Sequence, residues 1–328
     1  MVITVPSQAK VHGHGGVRPI RLRQDAPQVL ELLRLAFGEV VDDEGRRILG
    51  GEGGIPSPLL WRLNPLATHL GMGYVWEENG RIIGNATILT TRLFGRYLVV
   101  NVAVHPDFRR QGIARALMHA VINHVHAQQG HEILLQVVKE NLPAVRLYES
   151  LHFETLGHMT TWLASVSRLR AVANPIDKLV DVRELRPSEW RAAFQLDRLA
   201  LSADLDWPEP KLPEMYRQGI WQRFLNFLNS RQTETWVTTD EHGRLTGLAH
   251  IQAEWGRAHE LRIRVHPDWQ GVVERPLLAK AIRRLRQLSP RNIRIEHPEH
   301  DQITNQLLQE ANFYPRRTLT HMRLALTK

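Results

Sequence analysis

The feature that most restricts this 328-residue chain is that it repeats itself. Asn79-Gly80-Arg81-Ile82-Ile83-Gly84-Asn85-Ala86 returns as His242-Gly243-Arg244-Leu245-Thr246-Gly247-Leu248-Ala249. Phe94-Gly95-Arg96 returns as Trp255-Gly256-Arg257, and Val104-His105-Pro106-Asp107-Phe108 returns as Val265-His266-Pro267-Asp268-Trp269. The three matches keep their order and nearly their separation. One unit of about 150 residues, duplicated, with a core in each copy, accounts for this and for the length. The copies then run over residues 17–167 and 179–328, joined by a linker at 168–178 and preceded by a mobile arm at 1–16.

Local signals give each copy alternating strands and helices. In the first, 17–22 reads as a strand, and Asp25 is placed to cap a helix reaching Phe37. Residues 38–73 form a long irregular stretch rich in Gly and Pro. Two strands, 74–78 and 81–90, turn at Asn79-Gly80, a strong hairpin signal. A strand at 97–104, a helix from Gly112 to about His126, a buried strand at 132–138, a helix at 141–151 and a strand at 154–163 complete the copy. The second opens at 180–184 and continues with a helix near 187–201. It has its own hairpin and His-Pro-Asp turn, a helix from about Pro276 to Leu288 and a final strand at 318–326. The mixed order makes each half an α/β or α+β sandwich.

Composition removes several chemistries. The chain has no cysteine, so disulfides, thiolate nucleophiles and Cys-ligated zinc are excluded. His297 and His300 do not complete a ligand set at zinc spacing, so no metal is expected. No apolar run reaches the ~20 residues needed to span a bilayer, and residues 1–16 lack a signal-peptide pattern. A cytoplasmic protein without membrane contact is the expectation. The formal charge of +8 suits either a phosphate-rich ligand or an ordinary basic surface. Arg283, Arg284 and Arg286, with Arg291 and Arg294 beyond, lack interleaved aromatic residues. A solvated helix face is therefore expected there rather than a nucleic-acid platform.

Chemistry concentrates in Val102-Ala103-Val104-His105-Pro106-Asp107-Phe108-Arg109-Arg110-Gln111-Gly112-Ile113-Ala114-Arg115. A strand ends at a Pro turn, and a basic loop feeds a helix. Free amides at a helix start, with the dipole behind them, bind anions. Gly112 lets backbone approach the anion closely, and Arg109, Arg110 and Arg115 add charge. An ordinary loop with an Arg-rich cap is the alternative reading of the same residues.

This segment resembles the acetyl-CoA signature of the GNAT N-acetyltransferase family, Arg/Gln-x-x-Gly-x-Gly/Ala, met by Arg109, Gly112 and Ala114. A second signature of that family, Asn-x-x-Ala-x-x-Leu-Tyr with a Gly-Phe-like ending, is met by Asn141, Ala144, Leu147, Tyr148 and Phe153. His152 stands where Gly is usual. The resemblance implies two tandem GNAT-like domains, each a mixed, mostly antiparallel sheet flanked by helices. It also implies a splayed acetyl-CoA cleft in the first. Backbone groups of Val102, Ala103 and Val104 would pair with the pantetheine arm. The loop from Arg109 through Arg110, Gln111, Gly112, Ile113 and Ala114 to Arg115 would cradle the pyrophosphate, and Asn141 would hold the arm. Tyr148 would protonate the leaving thiolate after direct attack by a primary amine. On a helix face, Tyr148 also suits a core aromatic.

The resemblance provides no base. Related families place Glu where this chain has Leu98 and Gln136. A water chain, a group such as His69, or no protein base remain open. The long stretch at 38–73 lies where the fold builds its acceptor wall. Trp61, Arg62 and His69, with Asn101 and Gln136, are the candidate lining residues for a small-molecule or peptide amine. The second copy departs at each chemical position: Gln270 replaces Arg109, Val273 replaces Gly112, Glu274 replaces Ile113, Asp301 replaces Asn141 and Leu308 replaces Tyr148. One acetyl-CoA per chain is expected, with the second domain structural. A non-catalytic acyl-CoA sensor is the alternative function, and no motif encodes the oligomeric state.

Overall fold

A computed structural model describes residues 15–37, 72–173, 180–206, 213–217, 231–254 and 256–326. The expected arm up to residue 14 and the stretch 38–71, with Trp61, Arg62 and His69, lie outside these described residues. The chain forms two compact units that do not follow its own order. The first comprises the residues up to Gln136, then Arg146–Glu154, then the C-terminal residues from Arg323. The second comprises Val137–Val145 and Thr155–Met322.

In the first unit, β1 (Gly15–Pro19) leads into α1 (Leu22–Phe37). The strands β2 (Gly73–Glu78), β3 (Arg81–Thr90) and β4 (Arg96–Val104) follow. Next come α2 (Ile113–Ala127) and β5 (Glu132–Val138), and the sheet order is β1-β2-β3-β4-β5. β4 and β5 are parallel and the other pairs antiparallel. The expected hairpin forms as read, with Asn79 at φ 51° and Gly80 at φ 78°. The first helix starts earlier than expected. Asp25 lies inside its first turn rather than at the cap, accepts the Arg21 amide at 2.6 Å, and pairs with Arg18.

One sheet face is covered by α1 through Val29 and Leu32, which pack on Val75, Ile82 and Ala103. On the other, α2 buries Leu117, Met118, Val121 and Val125. That helix comes so close to β3 that a Cβ at Gly84 would lie 2.8 Å from Ile113 Cγ2. The repeat preserves this device: a Cβ at Gly247 would lie 2.7 Å from Leu277 Cδ1.

After α3 (Leu142–Glu149), the second unit is built from β6 (Glu154–Ser165), β7 (Arg183–Glu184), α4 (Trp190–Ala200), β8 (Arg231–Thr239) and β9 (Leu245–Glu254). It continues with β10 (His259–Val265), α5 (Glu274–Leu285), β11 (Asn292–Pro298), α6 (Gln302–Glu310) and β12 (Tyr314–Ala325). Its strand order is β12-β6-β11-β10-β9-β8-β7. β6, the last strand of the first copy in sequence, thus pairs with β11, from Ser165 opposite Asn292 to Met159 opposite Pro298. The last strand in the chain ends in the first unit, where the Leu326 amide donates to the His131 carbonyl at 2.8 Å. α5 begins at Glu274, two residues before the expected Pro276, because Glu274 itself occupies the first turn.

Candidate active site

The site grows from the point where β4 and β5 part. Their paired residues run from Arg96/Glu132 to Val99/Leu135. β4 continues to Val104, so the outer polar groups of its last residues have no β5 partner. Val102 and Val104 are half-buried, and Ala103 packs into the α1 side. A single-turn helix, Pro106–Phe108, then turns the chain, with the His105 ring folded back on the Asp107 amide. His266 does the same in the second copy, as expected for two residues that shape a turn.

The loop that follows has the geometry of an anion cradle. Arg110 has φ 64° and Gly112 φ 81°, two left-handed residues flanking Gln111. Such alternation points successive amides inward, a backbone nest for anions. Gly112 is the N-cap of α2, and the first helical bond runs from Ala116 N to Gly112 O. The amides of Ile113, Ala114 and Arg115 therefore have no acceptor within the helix. A Cβ at Gly112 would meet nothing within 4 Å, so that side of the residue is open. Arg109, Arg110, Gln111 and Arg115 are exposed. Arg109 Nε donates to Val104 O at 3.3 Å, and Arg115 Nη2 to Ser150 Oγ at 2.8 Å.

Tyr148 is 5% exposed and stacks edge-on against Phe153. Burial pushes its phenol up to about 12, so it is protonated through the neutral range. Asn141 is exposed and accepts the Ala144 amide at 3.3 Å, which caps α3. Leu98 is buried at 2% exposure, and Gln136 is half-buried with an interaction of its own. Neither is a base. No group of three or more His, Asp or Glu poised to hold a metal occurs among the described residues.

The second copy retains the splay but not the cradle. β10 and β11 pair from His259/Ile293 to Leu261/Ile295 and then separate. Gly271 keeps the left-handed turn at φ 81°, whereas Val273 has φ −107° and is wholly buried in the core. Val273 thus alters the loop through its backbone, its side chain having turned inward. Glu274 fills the cradle: its Oε1 accepts the Gly271 amide at 2.9 Å, and it is 1% exposed. Burial pushes this carboxyl up, while the amides of Gly271, Glu274 and Val273 pull it down. Pro276 removes one further donor from the helix start. Where Asn141 stands in the first copy, Asp301 caps α6 by accepting from Thr304 N and also bonds His297 Nε2 at 2.7 Å.

Three arginines of the basic cluster are committed to the fold of their own unit. Arg284 clamps Glu234, Arg286 Nη2 donates to Leu169 O at 2.6 Å, and Arg294 pairs with Glu296. Sequence reading missed Asn85, wholly buried beside β4, although the repeat alignment signalled it by setting Asn85 against Leu248.

Comparison with known proteins agrees with this geometry. Residues 27–153 match the model of the acetyltransferase (GNAT) family. The [ribosomal protein bS18]-alanine N-acetyltransferase of Escherichia coli is 31% identical over 96 residues, 28% of this chain and 64% of that protein. The peptidyl-lysine N-acetyltransferase YiaC of the same species is 32% identical over 100 residues, 28% of this chain and 61% of that protein. The chain thus spans less than two thirds of the length of either relative. Among solved structures, a GCN5-related N-acetyltransferase from Sphaerobacter thermophilus matches with TM-score 0.59 at 16% identity, covering 95% of both chains. A tandem GNAT protein from the clavulanic acid biosynthesis pathway matches with TM-score 0.50 at 15% identity, over 96% of this chain and 99% of that one. These two share the fold over nearly the full length. Residues 27–153, which carry the cradle, are thus similar to the acetyltransferase (GNAT) family.

Proposed function

We propose that this protein is an N-acetyltransferase that moves an acetyl group from acetyl-CoA to a primary amine in a ternary complex. The observation that carries the reading is the cradle at Arg110–Gly112 on the start of α2, beside a β4 edge that β5 has left. Val102, Ala103 and Val104 pair with the amide groups of the pantetheine arm as a strand would. The amides from Gln111 to Arg115, with Arg109, Arg110 and Arg115 around them, hold the pyrophosphate. Asn141 steadies the arm with the amide nitrogen left over from its capping bond. The amine attacks the acetyl carbon, a tetrahedral oxyanion forms, and its collapse expels a thiolate that the Tyr148 phenol protonates. The acceptor is a peptide or small-molecule amine, in line with relatives named for alanine and lysine acetylation. Asn101 and Gln136 line its side of the cleft. The sequence repeats at 17–167 and 179–328 descend from one ancestral domain, the second serving as structural partner. The cytoplasm is the location that this reading proposes.

Titration with acetyl-CoA and a CoA-release screen across amines test the proposal. Binding followed by amine-dependent release is expected; no binding at millimolar ligand would sink it. A second reading, a non-catalytic acyl-CoA sensor, is favoured by one observation: an aliphatic Leu98 and an amide Gln136 where a base would stand. It requires binding without release for every amine tried.

A further inference from the structure

β4 carries a bulge that its counterpart lacks. Asn85 faces Ala103 and Thr87 faces Val100, so Asn101 and Val102 together stand opposite the single residue Ala86. Asn101 adopts φ 55°, a conformation L-residues avoid outside such irregularities. In the second copy, β9 and β10 pair without a shift from Glu260/Gln252 to Val265/Gly247, and no residue of β10 has positive φ. The copies diverge after one shared step, since Asn85 opposite Ala103 matches Leu248 opposite Arg264.

Asn85 is the residue that differs and the one that touches the bulge. It is 0% exposed, and its Nδ2 donates to Asn101 O at 2.8 Å and to Thr87 Oγ1 at 3.2 Å. Its Oδ1 is buried with no hydrogen-bond partner among the described residues. A buried amide left half-satisfied costs stability, and Leu248 shows that the fold accepts an aliphatic side chain here. In a trans peptide, the Val102 N–H points opposite to the Asn101 carbonyl. That carbonyl is turned toward Asn85, so the Val102 N–H is turned toward the side from which β5 has departed.

We propose that Asn85 is a positioning residue: it pins the Asn101 carbonyl, and so aims the Val102 amide into the cleft at the acyl carbonyl oxygen. A backbone N–H can serve the acyl oxygen only while the left-handed Asn101 is held in place, and holding it is the part assigned to Asn85. The idea rests on the acetyl-transfer reading above, but its test does not depend wholly on it. In Asn85→Leu, which copies the second unit, the Asn101 backbone should relax to an ordinary extended strand, visible by crystallography. In CoA-release assays the same variant should lose about tenfold to hundredfold in kcat. KM for acetyl-CoA should stay within about threefold, and the melting temperature should not fall. Asn85→Ala removes the same donor without added bulk and should behave alike. A kcat within about twofold of wild type, or a left-handed Asn101 retained in both variants, would overturn the proposal. A wild-type chain that releases no CoA with any amine would instead overturn the acetyl-transfer reading, and the backbone measurement would still decide the role of Asn85.

Discussion

Tyr148 is the side chain whose packing bears most directly on the proposed chemistry. Its ring is held against Phe153 in the interior, and the same burial raises its phenol to about 12. The acid form is fully present below that value and is lost only as pH rises through it. If Tyr148 is the proton donor, kcat should show no descending limb from this group between roughly pH 7 and pH 10. A limb near pH 8–9 that disappears in Tyr148→Phe would contradict the assignment. The same variant should keep its acetyl-CoA affinity and lose ~10²–10⁴-fold in turnover. Unchanged turnover, with chemistry shown to be rate-limiting, would remove Tyr148 from the mechanism.

At the scale of the element, α2 and α5 are the same helix start put to different uses. The first presents left-handed Arg110 and Gly112, the latter open on its Cβ side; the second carries its own carboxylate, Glu274. One acetyl-CoA per chain is therefore expected, and a calorimetric stoichiometry of two would refute it. Gly112→Val should weaken that binding: its new Cβ has room, but a branched residue at φ 81° costs about 1–2 kcal/mol and distorts the nest. Glu274→Ala leaves the Gly271 amide without its acceptor. It should lower stability in chemical denaturation by about 1–3 kcal/mol, with acetyl-CoA affinity unaltered. An affinity change without a stability change would place Glu274 in ligand binding after all.

For the whole molecule, the departure of the compact units from chain order has consequences. A fragment of residues 1–167 carries β6 without β11, its antiparallel partner, and lacks the C-terminal residues from Arg323 that complete the first unit. It should be poorly folded or aggregated through the exposed strand edge, which size-exclusion chromatography and amide exchange would reveal; a stable, acetyl-CoA-binding fragment would contradict this. Acid sensitivity is expected from three buried histidines of the second unit. Burial lowers His250 to about 3 and His321 to about 4, and lowers His297 as well. All three are neutral in the folded state, while the unfolded chain takes up protons below about pH 6.5. Stability is thus fully present above that pH and lost as pH falls toward the folded values. Asp301, which burial pushes up but His297 and Thr304 hold at about 2, titrates below this window. A melting temperature that stays level from pH 7 to pH 5 would show that the histidines are not buried in solution.

Much of this was written in the sequence. Asn79-Gly80 and the regular alternation around it dictate a hairpin, because few other backbones accept that pair. The duplication, the cationic loop and the departure of the second copy from the motif residues follow from residue identities. Tertiary structure decided what depends on distant neighbours. That β6 pairs with β11 is a matter of which edge is nearest in space, and alternation along a strand does not encode its partner. That Val273 turns inward while Glu274 fills the cradle depends on the core beneath them. The left-handed Asn101 needs a donor from another strand, Asn85, sixteen residues away, and only the folded sheet brings the two within 2.8 Å.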